Sequence, residues 1–236
     1  MLLLALETAT STCSAAVMHH DTVVAEAHLH RPRVHAKHLT PLVDDVLQHA
    51  DVRGTDLDAV AVSMGPGSYT GLRIGVSTAK GWAMAHGAAL IGVPTLEALA
   101  AQARPWGHPG DAVCAVLDAR RNEVYASVYR MTADRTLQLH AGPDARAVTK
   151  LADAIGTPNG TCWLLGDGGA KSADALRESG RAAVRVVDPD HVAPSASWVA
   201  RRAQLRWEKG DTDDVAFFEP FYLKAFHGTP SNASVL

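Results

Sequence analysis

DAVAVSMGPGSYTGLRIGVSTAKGWAMAH, from Asp58 to His86, is the stretch that decides the fold. Ala59 to Met64 is a short, valine-rich apolar run of the kind buried on both faces of a sheet. The Gly65-Pro66-Gly67 break that ends it cannot be crossed by a strand or a helix. Ser68 and Thr70 then place side-chain oxygens where the first N–H groups of a helix need acceptors, and Leu72 to His86 has the length and alanine content of that helix. Strand, glycine turn and helix in this order predict a βα unit.

A glycine turn that opens a helix is suited to phosphate, because backbone N–H groups point outward there. Here Gly65, Gly67 and Gly71 are spaced G-x-G-x-x-x-G, one residue longer than the dinucleotide fingerprint, and no Gly-Lys-Ser/Thr follows to make a P-loop. The spacing favours a tight structural turn. Within the helix, Gly71, Gly75, Thr78 and Ala85 share a face of small residues that Gly81 and Trp82 flank. An interior glycine costs a helix about 1 kcal/mol relative to alanine, so this face predicts close approach of another backbone, from the same chain or from a partner. Arg73, in the first turn, opposes the helix dipole and is either solvated or answers an anion or a partner carboxylate.

The 236 residues are 47% hydrophobic and 20% charged, an ordinary globular composition. Formal net charge is −3; residues 1 to 103 carry six Lys/Arg against nine acids, and the remainder carries 16 of each. That balance argues against strong autonomous nucleic-acid binding. Met1 is followed directly by LLLALET, with no basic leader and too short an apolar run to span a bilayer. Cys13, Cys114 and Cys162 are odd in number and outside any C-x-x-C, which suits thiols in a reducing compartment. The expectation is a cytoplasmic protein without a membrane role.

Leu2 to Glu7, Ser14 to His19 and Val23 to His30 predict an antiparallel meander. Ala36 to Ala50 predicts an amphipathic helix with Leu39, Leu42, Val43, Val46 and Leu47 on one face. The βα unit follows, then a strand from Ala89 to Val93 and a helix from Leu96 to Ala103, so the first half reads βββαβαβα. Arg104 to Gly110 is a Pro/Gly cluster that places a boundary there. Beyond it, strands at Ala112 to Leu117, Glu123 to Tyr129 and Thr136 to His140, then Thr149 to Ile155, Cys162 to Leu165, a helix to Ser179, Ala183 to Val187 and Ala196 to Lys209, give the same order again. The expected organisation is two lobes, residues 1–103 and 111–226, and a disordered tail at 227–236.

Two such lobes facing across a cleft describe an α/β, duplicated βββαβαβα actin-like ATPase (ASKHA, RNase H-like) fold, in which phosphates lie between the two first hairpins. Those hairpins carry glycine when backbone must touch phosphate. Here they read Glu7-Thr8-Ala9-Thr10-Ser11 and Asp118-Ala119-Arg120-Arg121, without glycine. Glu7 and Asp118, each closing the first strand of its half, are candidate paired carboxylates; the alternative is that each bonds the N–H groups of its own turn. Seven of the twelve histidines lie between His19 and His49, with His28 and His30 on one strand face and His35 and His38 one helical turn apart. No carboxylate or cysteine completes a metal set with them, so no metal ligand is assigned.

ALETATSTCSAAV, GPGSYTGLRIGVSTAKGWA, IGVPTLEALA, DARRNEVY and EPFYLK, spread from near the N-terminus to Lys224, together resemble the TsaB family. These are accessory subunits of the bacterial machinery that makes threonylcarbamoyladenosine (t6A) in tRNA. The resemblance implies a non-catalytic partner of TsaD, a paralogue that transfers threonylcarbamoyl to the adenosine beside the anticodon. TsaD holds its metal with two histidines four apart, and that motif falls here on Thr95 and Leu99, neither of which binds zinc or iron. The resemblance further implies no cofactor on the chain's own account, ATP or ADP only at the interface with partners, TsaE reached through TsaD, a homodimer as an alternative state, and tRNA met only indirectly. The expected partner interface is Gly71, Arg73, Gly75, Thr78, Trp82 and Ala85, so Gly75→Leu is expected to fold and to block association. The rival reading is an autonomous ATP-dependent kinase or metallopeptidase-like hydrolase of the same fold. Two residues depart from the family pattern: Glu7 where aspartate is common, and Lys224 where arginine is usual.

Overall fold

A computed structural model describes residues 1–31, 33–180 and 183–224. The expected tail at 227–236 lies outside them. The first half contains β1 (Leu2–Glu7), β2 (Thr12–His19), β3 (Thr22–His30), α1 (His35–His49), β4 (Ala59–Gly65), α2 (Tyr69–His86), β5 (Ala89–Pro94) and α3 (Thr95–Ala101). The second contains β6 (Ala112–Asp118), β7 (Glu123–Met131), β8 (Leu137–Ala147), α4 (Leu151–Ile155), β9 (Cys162–Leu165), α5 (Gly169–Glu178), β10 (Val184–Val186) and α6 (Ala196–Trp207). Each half builds a five-stranded sheet, β3-β2-β1-β4-β5 and β8-β7-β6-β9-β10, with the same antiparallel meander and the same two parallel additions. The duplication expected from element order is present in the topology.

α2 begins at Tyr69, three residues before the predicted start, because Ser68 is the N-cap and its Oγ accepts the Gly71 N–H at 3.2 Å. β8 continues seven residues beyond the predicted His140, through Gly142-Pro143, with an irregular register opposite Val128. The proline is tolerated because β8 is an edge strand with no ladder to feed on its outer side.

α1 and α2 cover one face of the first sheet, burying Leu39, Val43 and Val76 against Leu4, Leu6, Val60 and Val62. The opposite face is covered by α6, whose Ala196, Val199, Ala200 and Ala203 meet Leu3, Ala5, Ala16 and Ala61. α3 in turn sits under the second sheet, with Leu96, Leu99 and Ala100 against Val113, Ala115 and Leu117. Each half therefore lends its last helix to the other sheet, and the Arg202–Glu97 ion pair ties the two exchanged helices together. The two sheets lie on either side of residues 104–110, while the helix packing crosses between them.

After α6 the chain returns to the first lobe. Asp213 pairs with Leu90, Phe218 is buried over Gly92, and the Phe221 N–H donates to the Met64 carbonyl at 2.7 Å. The same strap then reaches the second lobe, where Lys224 Nζ donates to the Ala119 carbonyl at 2.9 Å and meets Glu123 at 2.6 Å.

Candidate partner interface and the interlobe cleft

The two first hairpins face each other across a cleft of about 1100 Å³, with Ala9 to Ser11 and Gly67 to Gly71 on one side and Leu117 to Arg121 on the other. Its acids are already answered. Asp118 accepts the Arg120 N–H at 2.9 Å and the Lys171 ammonium at 2.5 Å. Partial burial pushes Asp118 up, yet Lys171 and that N–H outweigh it and hold the carboxyl below its ordinary value. Lys224 likewise holds Glu123 down. The Arg120-Arg121-Asn122 tip turns with three successive left-handed residues, at φ of 65°, 49° and 60°, where glycine is usual.

Glu7 does not face Asp118. It is wholly buried behind its own turn, where Oε1 accepts the Ala9 N–H at 2.5 Å. Desolvation pushes it up to about 7 against the opposing pull of the Ala9 and Thr8 N–H groups and of the Ser63 hydroxyl beside it. The pairing of Glu7 with Asp118 across the cleft is thus corrected: both carboxylates bond their own turns. Thr95 and Leu99 are also wholly buried, facing core and not cleft. Among the described residues no group of three or more His, Cys, Asp or Glu side chains could hold a metal. His28 meets Glu26 at 3.0 Å and stacks on His30, while His35 bonds the Thr12 carbonyl at 3.1 Å, so the histidines serve the edge strand and the head of α1.

α2 carries its glycines on two different sides. Gly71 and Gly75 are buried on Thr8: a Cβ at Gly71 would run into the Thr8 carbonyl, and one at Gly75 into Thr8 Oγ1. These two leave the expected partner interface, because the backbone that approaches them is the chain's own. The outward side carries Arg73, Ser77, Gly81, Met84 and Ala85, with Thr78 and Trp82 half-buried at its margin. A Cβ added at Gly81 would meet nothing within 4 Å. Arg73 lies 5.5 Å over the Tyr69 ring, which stacks on Tyr222 from the strap, so its cation faces an aromatic surface.

Two exposed apolar side chains escaped the sequence reading. Met84 is 72% exposed and Phe217 83%. They share one surface, since Lys80, one turn before Met84, donates to the carbonyls of Ala216 and Phe218 at 3.1 and 3.0 Å and so draws the strap along α2. The aromatic run Phe217-Phe218 was the available signal, but sequence does not say which ring of such a pair is buried.

Fold and site define a two-lobed actin-like protein with ion pairs along its cleft and an exposed helix face on its first lobe. Residues 23–197 match the family model described as TsaD, tRNA N6-adenosine threonylcarbamoyltransferase. The tRNA threonylcarbamoyladenosine biosynthesis protein TsaB of Escherichia coli K12 is 33% identical over 228 residues, 95% of each chain, and that of Haemophilus influenzae Rd is 27% identical over 94% of this chain and 93% of its own. The structure of YeaZ from Pseudomonas aeruginosa superposes with a TM-score of 0.81 at 27% identity, over 94% of this chain and 99% of that one. The chain belongs to the TsaB family of tRNA threonylcarbamoyladenosine biosynthesis proteins.

Proposed function

We propose that this chain is a non-catalytic accessory subunit that docks on a TsaD protein through the outer side of α2 and the adjoining strap, and so supports threonylcarbamoyl transfer to tRNA. The observation that carries the reading is the open space at Gly81 on the same face as the exposed Met84, with the exposed Phe217 on the strap that Lys80 draws along α2, in a chain of this family. A glycine with open space lets a second helix approach closely, and two large apolar side chains beside it are anchors of the kind that dominate small interfaces. Arg73, Thr78, Trp82 and Ala85 remain in the proposed contact; Gly81, Met84 and Phe217 replace Gly71 and Gly75.

Catalysis then belongs to the partner. The positions that match the metal-binding histidines of TsaD are the buried Thr95 and Leu99, and of the cleft's acids Asp118 and Glu123 are paired with Lys171 and Lys224 while Asp167 accepts the Asp118 N–H. The same features disfavour an autonomous kinase or metallohydrolase. ATP or ADP would bind where partners meet, TsaE would join through TsaD, a second copy of this chain would use the same α2 face when TsaD is absent, and tRNA would be held mainly by the partner. No described helix is long and apolar enough to cross a membrane, and a cytoplasmic complex fits tRNA as its substrate. Reconstitution tests the reading: the chain alone with tRNA and threonylcarbamoyl adenylate is expected to give no modified adenosine, and addition of its own organism's TsaD to give it. Modification by the chain alone would refute the assignment.

A further inference from the structure

Glu7 closes β1 with no exposed surface, and its two oxygens are treated differently. Oε1 accepts the Ala9 N–H, whereas Oε2 makes no hydrogen bond; Ser63 Oγ lies beside the carboxyl, close enough to pull on its charge but without a formed hydrogen bond. An ionised carboxylate with an unanswered oxygen in an apolar interior is costly, and protonation lowers that cost. The turn that Glu7 anchors is also the seat of α2. Thr8 Oγ1 donates to the Gly71 carbonyl at 2.9 Å, the Ser68 N–H donates to the Ala9 carbonyl at 2.7 Å, and Gly71 and Gly75 press on Thr8 without room for a Cβ.

We propose that the proton on Glu7 is a latch for α2. While Glu7 is neutral, the turn from Thr8 to Ser11 holds the first turns of the helix in place; ionisation of the buried, half-answered carboxyl favours a local opening in which the turn parts from Ser68, Gly71 and Gly75. The groups that act on the carboxyl are the Ala9 and Thr8 N–H groups and the Ser63 hydroxyl, and through charge it acts on Cys13 of β2. Burial and Glu7 push the Cys13 thiol up to about 11, so it stays neutral across the relevant range. Ser14, opposite Glu7 in the sheet, turns its hydroxyl to the Ala196 N–H at the head of α6, and α2 presents Gly71 and Gly75 to Thr8.

The direction follows from linkage. The closed form keeps its proton up to about pH 7, while an opened, hydrated Glu7 loses it near its ordinary 4.5. Opening therefore becomes easier by up to about tenfold per pH unit between those values and levels off above the upper one. The latch belongs to the free chain; its bearing on partner binding rests on the reading of α2 as the docking face.

Amide hydrogen exchange of the free, full chain tests it, read at residues 68–76 from about pH 5 to about pH 8.5 and corrected for intrinsic exchange. The opening equilibrium is expected to rise roughly a hundredfold across the window and then level in the native chain, and to stay flat in Glu7→Gln. A flat native profile, or the same slope in Glu7→Gln, overturns the latch. Should Glu7→Gln not fold, a carbon-13 titration of the Glu7 carboxyl in the native chain decides: a midpoint near 7 supports the proposal, and one near 4.5 overturns it. With TsaD present, affinity is expected to fall between about pH 6 and about pH 8 in the native chain and not in Glu7→Gln. Equal native affinity at both refutes the regulatory use, whereas absence of association at every pH refutes the docking reading and not the latch.

Discussion

Gly75 and Gly81 stand less than two turns apart on α2, and their surroundings make opposite demands. At Gly75 any Cβ collides with Thr8 Oγ1, which is itself bonded to the Gly71 carbonyl, while at Gly81 the space is open. Gly75→Ala should therefore destabilise the fold by about 1–3 kcal/mol, and Gly81→Leu should be neutral or stabilising by up to about 1 kcal/mol, as urea denaturation would measure. Equal costs at the two sites would mean that α2 is rotated from its assigned orientation. Glu7 adds a pH term. Because its folded value lies above its unfolded one, its contribution to stability is full below about pH 4.5 and is lost as pH rises to about 7. Its share of the slope is at most about 1.4 kcal/mol per pH unit, and Glu7→Gln should remove that share from the pH profile of denaturation midpoints. Helical spacing made the small face of α2 legible in the sequence. Which part of it turns inward was not, because Thr8 lies 63 residues before Gly71 and only the folded sheet brings them together.

At the scale of elements, α3, α6 and the strap do what the order of elements could not foretell. Periodicity gives a helix its apolar face but not the sheet that face will meet, so the exchange of α3 and α6 between lobes had no signature in the sequence. The meanders were legible because alternation and turn residues are local, whereas β8 was cut short at a Gly-Pro that only an edge strand accepts. In the strap, two adjacent phenylalanines divide the work. Phe218 is 8% exposed and packs on Gly92, while Phe217 is 83% exposed beside α2. Phe218→Ala should cost about 3–4 kcal/mol, as for other buried aromatic truncations, and Phe217→Ala under about 0.5 kcal/mol. Urea midpoints of the two variants test this directly; similar losses would show that the strap is seated otherwise.

For the molecule as a whole, two like sheets joined by exchanged helices and a strap make a body whose open cleft has the Asp118–Lys171 and Glu123–Lys224 ion pairs on its second-lobe side and whose first lobe presents an exposed helix face. The family was legible in the motifs of β1, α2 and the β6–β7 hairpin; the proposed docking surface was not, since it includes Phe217 on a strap that returns from the far end of the chain. The central claim is that this surface binds TsaD. Calorimetric titration of the chain with its own organism's TsaD measures it most directly, using the native protein, Phe217→Ala and Gly81→Leu, each first confirmed folded. The account predicts a saturable complex with the native chain, about tenfold or greater weakening by Phe217→Ala, and about hundredfold or greater loss by Gly81→Leu. A folded Gly81→Leu that binds TsaD as tightly as the native chain would contradict it.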